Sequence, residues 1–376
     1  MSLFLLVIFL LYGGMHFHAY RKFSGAFTVS LPVSLCIVLF MGVMVCAPVL
    51  VRVAEREGLE SIAIPLATAG YLWMGFLFLF FSTSVLLDGG RFLLKVSRVL
   101  PYGCHPTDRQ TFLASLFISF VVVVHGYREA GKIRTEKVTI RTEKLPPSLP
   151  RLTIVQISDV HLGLMVREKR LHAIARAIEN AHPHLLVSTG DLVDGQRDGM
   201  EKMAAELRNL KPPYGKFAVT GNHEWYAGIG PSLDFTRRAG FFVLRGQNMR
   251  VGEFLHVAGF DDPMVERSGS FRRNESDILG NIPRNEFTVV LKHRPVVDKQ
   301  SIGLFDIQLS GHVHKGQIFP FGLVTRLVYP VSTGLSRCGD SLLYVSRGTG
   351  TWGPPIRFLA PPEVTVIELV HGKTGS

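Results

Sequence analysis

Cysteine is scarce in this chain. Four occur in 376 residues, and no two have the short spacing of a zinc or redox pair. Cys36 and Cys46 fall in an apolar stretch, Cys104 in a loop and Cys338 near the end, so no disulfide framework is expected. Charge is also thin, at 19% of residues against about 25% in ordinary soluble domains. Acidic residues are the rarer sign, 30 against 41 Lys and Arg, for a formal net charge of +11. A basic chain invites a nucleic-acid reading, but no basic helix or ladder of alternating aromatic and basic residues supports one, and no nucleic-acid partner is expected. The excess suits anionic lipid headgroups or phosphate substrates, beside the plainer reading of a solvated surface. Low-complexity sequence is absent, which excludes wholesale disorder.

Apolar residues make up 47% of the chain and gather in its first third. Four apolar runs precede residue 130: Leu3 to about Tyr20, Phe27 to Val51, Ile62 to Leu87 and Thr111 to His125. A helix needs about 20 apolar residues to cross a bilayer. The second and third runs meet this with no internal charge, while the first and fourth are shorter. The first lacks the basic start of a signal peptide and is followed by further runs, so it reads as an uncleaved helix. His16 and His18 are expected at its interfacial end. Residues 1–130 are thus expected to form a multi-pass transmembrane region of about four helices in the cell membrane, a region without the internal charges of a transporter. Lys and Arg are nearly balanced between the two sides. Charge beside a long exported domain weighs less, which tips the domain after residue 130 to the external side.

From residue 131 the pattern changes. Lys137 to Arg141 alternates as a strand does, and Pro146, Pro147 and Pro150 then break the chain. Residues 131–150 are read as a linker and first strand. About a dozen residues separate the fourth run from that strand, a reach of roughly 40 Å when extended.

Residues 151–376 repeat one arrangement, in which an apolar strand ends in a polar cluster. Leu152–Ile157 runs into Ser158, Asp159 and His161, and Leu185–Thr189 into Gly190, Asp191 and Asp194. Phe217–Thr220 leads to Gly221, Asn222, His223 and Glu224. Thr288–Leu291 leads to Lys292, His293 and Arg294, and Phe305–Leu309 to Gly311, His312 and His314. Amphipathic helices fit between the early strands: Leu171, Ile174, Ala175 and Ile178 share one face, and Met200, Met203, Ala204 and Leu207 another. Alternating strands and helices predict an α/β sheet, and sites in such sheets lie beyond the carboxyl ends of strands. All five clusters are placed there.

Asp159, His161, Asp191, Asn222, His293, His312 and His314 offer two carboxylates, an amide oxygen and four imidazoles. That mixture suits Mn, Fe, Zn or Co better than Ca or Mg. Seven ligands exceed the need of one ion, and a bridging carboxylate makes two divalent transition-metal ions the natural count. Such a pair lowers the pKa of a shared water, giving a bridging hydroxide, and neutralises phosphate charge during in-line attack. His223 is available to protonate the departing oxygen. Any one cluster could be a turn or a cap, but five in order, each closing a strand, are a site.

On these motifs, from about Leu152 to Leu369, the chain resembles the calcineurin-like metallophosphoesterase superfamily, and in particular its membrane-anchored branch. Tyr344 to Gly348, Gly350 to Pro355 and Pro361 to Thr365 carry the likeness to that branch. The resemblance implies a four-layer αββα sandwich. It implies one metal on Asp159, His161, Asp191 and His314, and a second on Asp191, Asn222, His293 and His312, with Asp191 bridging. It also implies leaving-group assistance from His223 and an orienting role for Asp194.

Arg294 and Arg347 are the candidates for gripping phosphate, in the absence of a conspicuous arginine pair within the motifs. Trp225 and Tyr226 either wall the cleft or pack against the helix below. The segment from Gly259 to Asn285, with Asp261, Asp262, Arg267, Arg272 and Arg273, reads as a solvated excursion rather than a lid. Trp352–Pro355 reads as a rigid turn near the site. The expected function is a membrane-anchored hydrolase of a phosphodiester or a lipid-linked phosphate, with membrane lipids as neighbours. The alternatives are a phosphomonoesterase or protein phosphatase, which would need arginine clamps, and an inactive receptor on the same fold, which would lack a ligand.

Overall fold

A computed structural model describes residues 3–99, 101, 105–195, 200–266 and 274–373. Contacts divide the chain into two units, 1–128 with 353–356, and 129–352 with 357–376.

The first unit is helical: α1 (Leu3–Ala26), α2 (Leu31–Arg56), α3 (Glu60–Ser97) and α4 (Asp108–Ala130). Among the described residues, α2, α3 and α4 are long and apolar enough to cross a membrane. The Leu3–Tyr20 run also forms a helix, but α1 is not among those three. α3 continues well past the apolar run that predicted it. It keeps helical geometry through Asp88, Arg91 and Lys95, because charge is excluded from a bilayer core but not from a helix. Lys22 meets Asp88 at 2.7 Å, and Arg91 pairs with Asp108. His16 and His18 are both engaged in the helix packing. Trp73 donates to His16 Nε2 at 2.9 Å, and His18 Nε2 lies 2.7 Å from Ser84 Oγ. Cys36, Cys46 and Cys338 carry free thiols, and Cys104 lies outside the described residues.

The second unit holds twelve strands and seven helices among its described residues. In chain order they are β1 (Arg134–Thr142), β2 (Arg151–Ile157), α5 (Glu168–Asn180), β3 (Leu185–Ser188), α6 (Met200–Asn209) and β4 (Lys216–Ala218). Then come α7 (Asn222–Ala227), α8 (Ile229–Arg238), β5 (Phe242–Val243), β6 (Gln247–Val251), β7 (Leu255–Gly259), α9 (Pro263–Glu266), α10 (Glu275–Gly280) and β8 (Phe287–Leu291). The last are β9 (Ile307–Ser310), α11 (Phe321–Val328), β10 (Gly334–Cys338), β11 (Ser341–Val345) and β12 (Glu363–His371).

They form two six-stranded sheets, ordered β1-β12-β2-β3-β4-β5 and β10-β11-β9-β8-β7-β6. The predicted faces account for the layering. Leu171, Ile174 and Ile178 of α5, with Met203 and Leu207 of α6, pack against Val155, Leu186 and Val364 on the outer face of the first sheet. The opposite side chains of the same strands, Ile154, Leu185 and Val187, meet Val257, Val289, Leu291 and Leu309 of the second sheet. Ala258 and Val290 turn outward beneath Leu279 of α10. The order helix, sheet, sheet, helix follows from strands that are apolar on both faces.

Register brings the strand ends together. Ile157 pairs with Ser188, and Ser188 with Ala218, so β2, β3 and β4 release their polar tails side by side. Leu291 aligns with Leu309 in the second sheet. Three clusters therefore come from one sheet and two from the other.

Candidate metal centre

The turns after β2, β3 and β9 are tight, and the side chains they present sit on backbone that ordinary residues avoid. Asp159, His161, Asp191, His312 and His314 have φ of 52, 54, 52, 73 and 45°. Left-handed geometry costs a non-glycine residue on the order of 1 kcal/mol, so surrounding contacts must hold it. Two glycines make room. A Cβ on Gly221 would lie 2.1 Å from Asp191 Oδ1, and one on Gly311 would lie 1.9 Å from Ser158 Oγ and 2.1 Å from Asp159 Oδ2.

Six of the seven candidate ligands fall into two groups. Asp159, His161 and His314 form one group able to hold an ion, and Asp191, His293 and His312 form another. In the first, His161 Nε2 lies 3.1 Å from His314 Nε2, and His314 Nε2 lies 3.4 Å from Asp159 Oδ1. In the second, His293 Nε2 lies 3.0 Å from Asp191 Oδ2 and 3.1 Å from His312 Nδ1. Asp191 Oδ2 also reaches to 3.9 Å from His161 Nε2, so this one carboxylate borders both groups. The Oδ1 atom of Asn222 is buried and finds no hydrogen-bond partner. A buried acceptor left unmatched is costly, and a cation between these donors would satisfy it. The donor set therefore fits a pair of divalent transition ions.

Electrostatics prepare the donors unequally. Burial, helped by Arg357, pushes His314 well below the ordinary imidazole value. Burial and the neighbouring His293 push His312 down to about 3. Both are held neutral, as ligation requires. His293 goes the other way: burial would lower it, but the Asp191 carboxylate dominates and raises it to about 10. Its Nδ1 faces Thr189 O at 2.9 Å, which fixes the ring. Because this pKa is raised on folding, its stabilisation is complete below 6.5, the ordinary value, and is lost as pH rises through about 10. The metal-free protein is therefore expected to lose thermal stability across that window. Metal-loaded protein is not, since ligation removes the proton first. Thermal unfolding with and without chelator, measured from pH 6 to about 10, tests this.

His223 sits at the rim. Its Nδ1–H donates to Asp194 Oδ1 at 2.5 Å, and its ring is edge-on to His161, with centroids 4.6 Å apart. Burial would lower its pKa, but Asp191 and Asp194 raise it to about 9, so it holds a proton at neutral pH. Asp194 is held well below the usual carboxylate range; burial opposes this, and the charge of His223 overcomes it. Tyr226 and Trp352 place their rings 5.4 and 6.0 Å from His223. Tyr226 is half exposed, beside His223 at the rim of the site.

Two residues that hold the site had no role assigned from the sequence. Glu224 is buried at the start of α7, and its carboxylate takes N–H groups from Gly221 (2.6 Å), Asp191 (3.0 Å), Leu192 (2.7 Å) and Val193 (3.3 Å). One side chain thus ties the second motif to the third. The available signal was its place three residues after Gly221, where a helix-capping glutamate stands. Arg357 is fully buried and donates to Gly350 O at 2.6 Å, Arg347 O at 2.7 Å and His314 Nδ1 at 3.0 Å. A donated hydrogen bond at Nδ1 bars a second proton from His314. No local sequence signal marks Arg357.

The two arginines considered for phosphate are engaged elsewhere. Arg294 forms a fork with Asp262, at 2.7 and 3.1 Å, and Arg347 pairs with Glu136 at 2.7 Å and Glu363 at 2.5 Å. The segment expected as a solvated excursion is in part structural. Asp262 is buried, and Asp261 binds Thr220 and Arg245. Arg267, Arg272 and Arg273 lie outside the described residues.

Comparison with known proteins agrees with this geometry. The calcineurin-like phosphoesterase family model matches residues 152–316. An uncharacterised metallophosphoesterase of Aquifex aeolicus is 40% identical over 258 residues, covering 68% of this chain and 98% of the relative. One from Campylobacter jejuni is 31% identical, covering 69% of this chain and 70% of the relative. A transmembrane protein with metallophosphoesterase domain from Danio rerio is 32% identical, covering 69% and 63%. With the motifs, the two-sheet fold and these relatives in agreement, the chain belongs to the calcineurin-like metallophosphoesterase family.

Proposed function

We propose that the protein is a multi-pass membrane phosphoesterase that uses two divalent transition ions to hydrolyse a phosphodiester or a lipid-linked phosphate. The observation that carries this reading is Asp191, whose carboxylate borders both ligand groups. Asp159, His161, Asp191 and His314 would hold one ion, and Asp191, Asn222, His293 and His312 the other. Bound ions would supply Lewis acidity toward phosphate oxygens and a nucleophile at neutral pH. The chain's own residues do the rest. Asp194 orients His223 and keeps it protonated, and His223 delivers that proton to the departing oxygen. Tyr226 and Trp352 flank His223 and limit access of water. With Arg294 and Arg347 committed to carboxylates, the site favours the singly charged phosphate of a diester over the doubly charged monoester. Lys and Arg are nearly balanced across the helices, and the lesser weight of charge beside a long domain favours an external catalytic unit.

The test uses Mn-loaded protein and two aryl phosphodiesters, one with an acidic phenol as leaving group and one with a poor leaving group. His223→Gln is expected to lower the rate on the poor leaving group by about a hundredfold or more, and to affect the acidic phenol far less. Equal losses on both substrates would remove His223 from the proton-donor role. A monoester hydrolysed faster than either diester would overturn the substrate class.

A further inference from the structure

Among the described residues of the second unit, exposed large apolar side chains are most concentrated at α11. None of the eight residues of α11 is buried. Leu327 is 85% exposed and Val328 68%, with Leu323 and Val324 each more than half exposed. Leu323 and Leu327 are four apart, as are Val324 and Val328, so they form one continuous apolar stripe. Phe319, just before the helix, and Leu359 extend it: both are exposed, and Phe319 N–H donates to Phe358 O at 3.2 Å, which joins the two segments. Thr325 and Arg326 stand off the stripe. Thr325 Oγ1 bonds Gly322 O, and Arg326 reaches Ser332 Oγ at 3.4 Å. Lys315, which precedes the helix in the chain, lies in the field of Arg347 and Arg326. A short helix with an apolar stripe and cations at its margin has the composition of an interfacial helix.

Chain connectivity selects the occupant. α4 is long and apolar enough to cross a membrane and ends at Ala130; β1 begins at Arg134. The intervening residues 131–133 span about 10 Å at most. A unit tied that closely to a spanning helix meets lipid at far higher local concentration than it meets any soluble protein.

We propose that α11, with Phe319 and Leu359, lies in the bilayer interface. Its apolar stripe sits among the upper acyl carbons, and Arg326 and Lys315 sit at the level of the phosphates. The helix ends at Tyr329, whose ring is 5.4 Å from that of His312. Docking in this way sets the metal centre at headgroup depth. The proposal does not depend on the phosphoesterase reading, and its test reads depth rather than hydrolysis.

The experiment uses the full chain in vesicles of phosphatidylcholine and phosphatidylglycerol, with plain or brominated acyl chains. Leu327→Trp adds a reporter on the stripe, and Val324→Trp a second one. Phe242→Trp reports from the exposed β5 strand. The emission of Trp73, Trp225 and Trp352 is subtracted with the parent protein. The added emission at 327 and 324 is expected to be blue-shifted and lost in brominated vesicles, while that at 242 persists. Solvent-like, unquenched emission at both stripe positions overturns the proposal. So does blue-shifted emission that bromine leaves intact, which would mean that a second copy or another protein covers the helix. Equal quenching at 242 also overturns it.

Discussion

Replacing Asp191 by asparagine is expected to lower hydrolysis of an aryl phosphodiester by about a thousandfold or more, the scale on which a preorganised electrostatic stabiliser is lost. The same substitution should reduce bound metal from two equivalents to one or none. The reason is positional. Asp191 Oδ2 lies 3.0 Å from His293 Nε2 and 3.9 Å from His161 Nε2, while Oδ1 accepts the His223 backbone N–H at 2.8 Å. Its burial opposes ionisation, but His293 and His223 keep its pKa well below the ordinary carboxylate value. Asparagine keeps the shape and loses the charge, so the fold should survive. Elemental analysis of the purified variant, read beside its rate, checks the prediction; two bound metals with full activity would remove Asp191 from the bridging role.

The second large effect is on stability. Glu224→Gln is expected to destabilise the second unit by about 3 kcal/mol. Four N–H groups converge on the Glu224 carboxylate, and glutamine would turn an NH2 group toward some of them. Buried donors would then face a donor, and the turn carrying Asp191 would lose its tie to α7. For a unit of this size the change corresponds to a fall in Tm of roughly 6–12 °C. Differential scanning calorimetry of chelated protein isolates the effect from metal binding. An unchanged midpoint would show that this carboxylate is not what joins the two motifs.

The difference between these two residues shows what was legible in the sequence. Asp191 was readable because apolar runs that end in a polar cluster fix both the strand and the place where its side chains emerge. All five clusters lie at strand ends in the structure. That the strands divide between two sheets was visible only through resemblance, and which strand joins which sheet was not visible at all, since strand pairing is non-local and each run looks alike. Glu224, Arg357 and the Asp262–Arg294 pair each act through a partner more than 30 positions away, with no periodic pattern to announce it. α3 was truncated in the sequence reading because hydropathy reports the lipid-compatible part of a helix, not its hydrogen-bonded length. The α11 stripe was missed for a related reason: an eight-residue apolar helix in a soluble unit reads as core until its exposure is known.

The left-handed backbone at Asp159, His161, Asp191, His312 and His314 has a consequence for engineering. Glycine at any of these positions would relieve conformational strain and, by that criterion alone, make a sturdier protein. Each such gain would delete a donor from the centre. A search for heat-resistant variants that scores folding alone will therefore drift toward inert molecules. Durability has to be sought elsewhere, in the helices that cover the sheets.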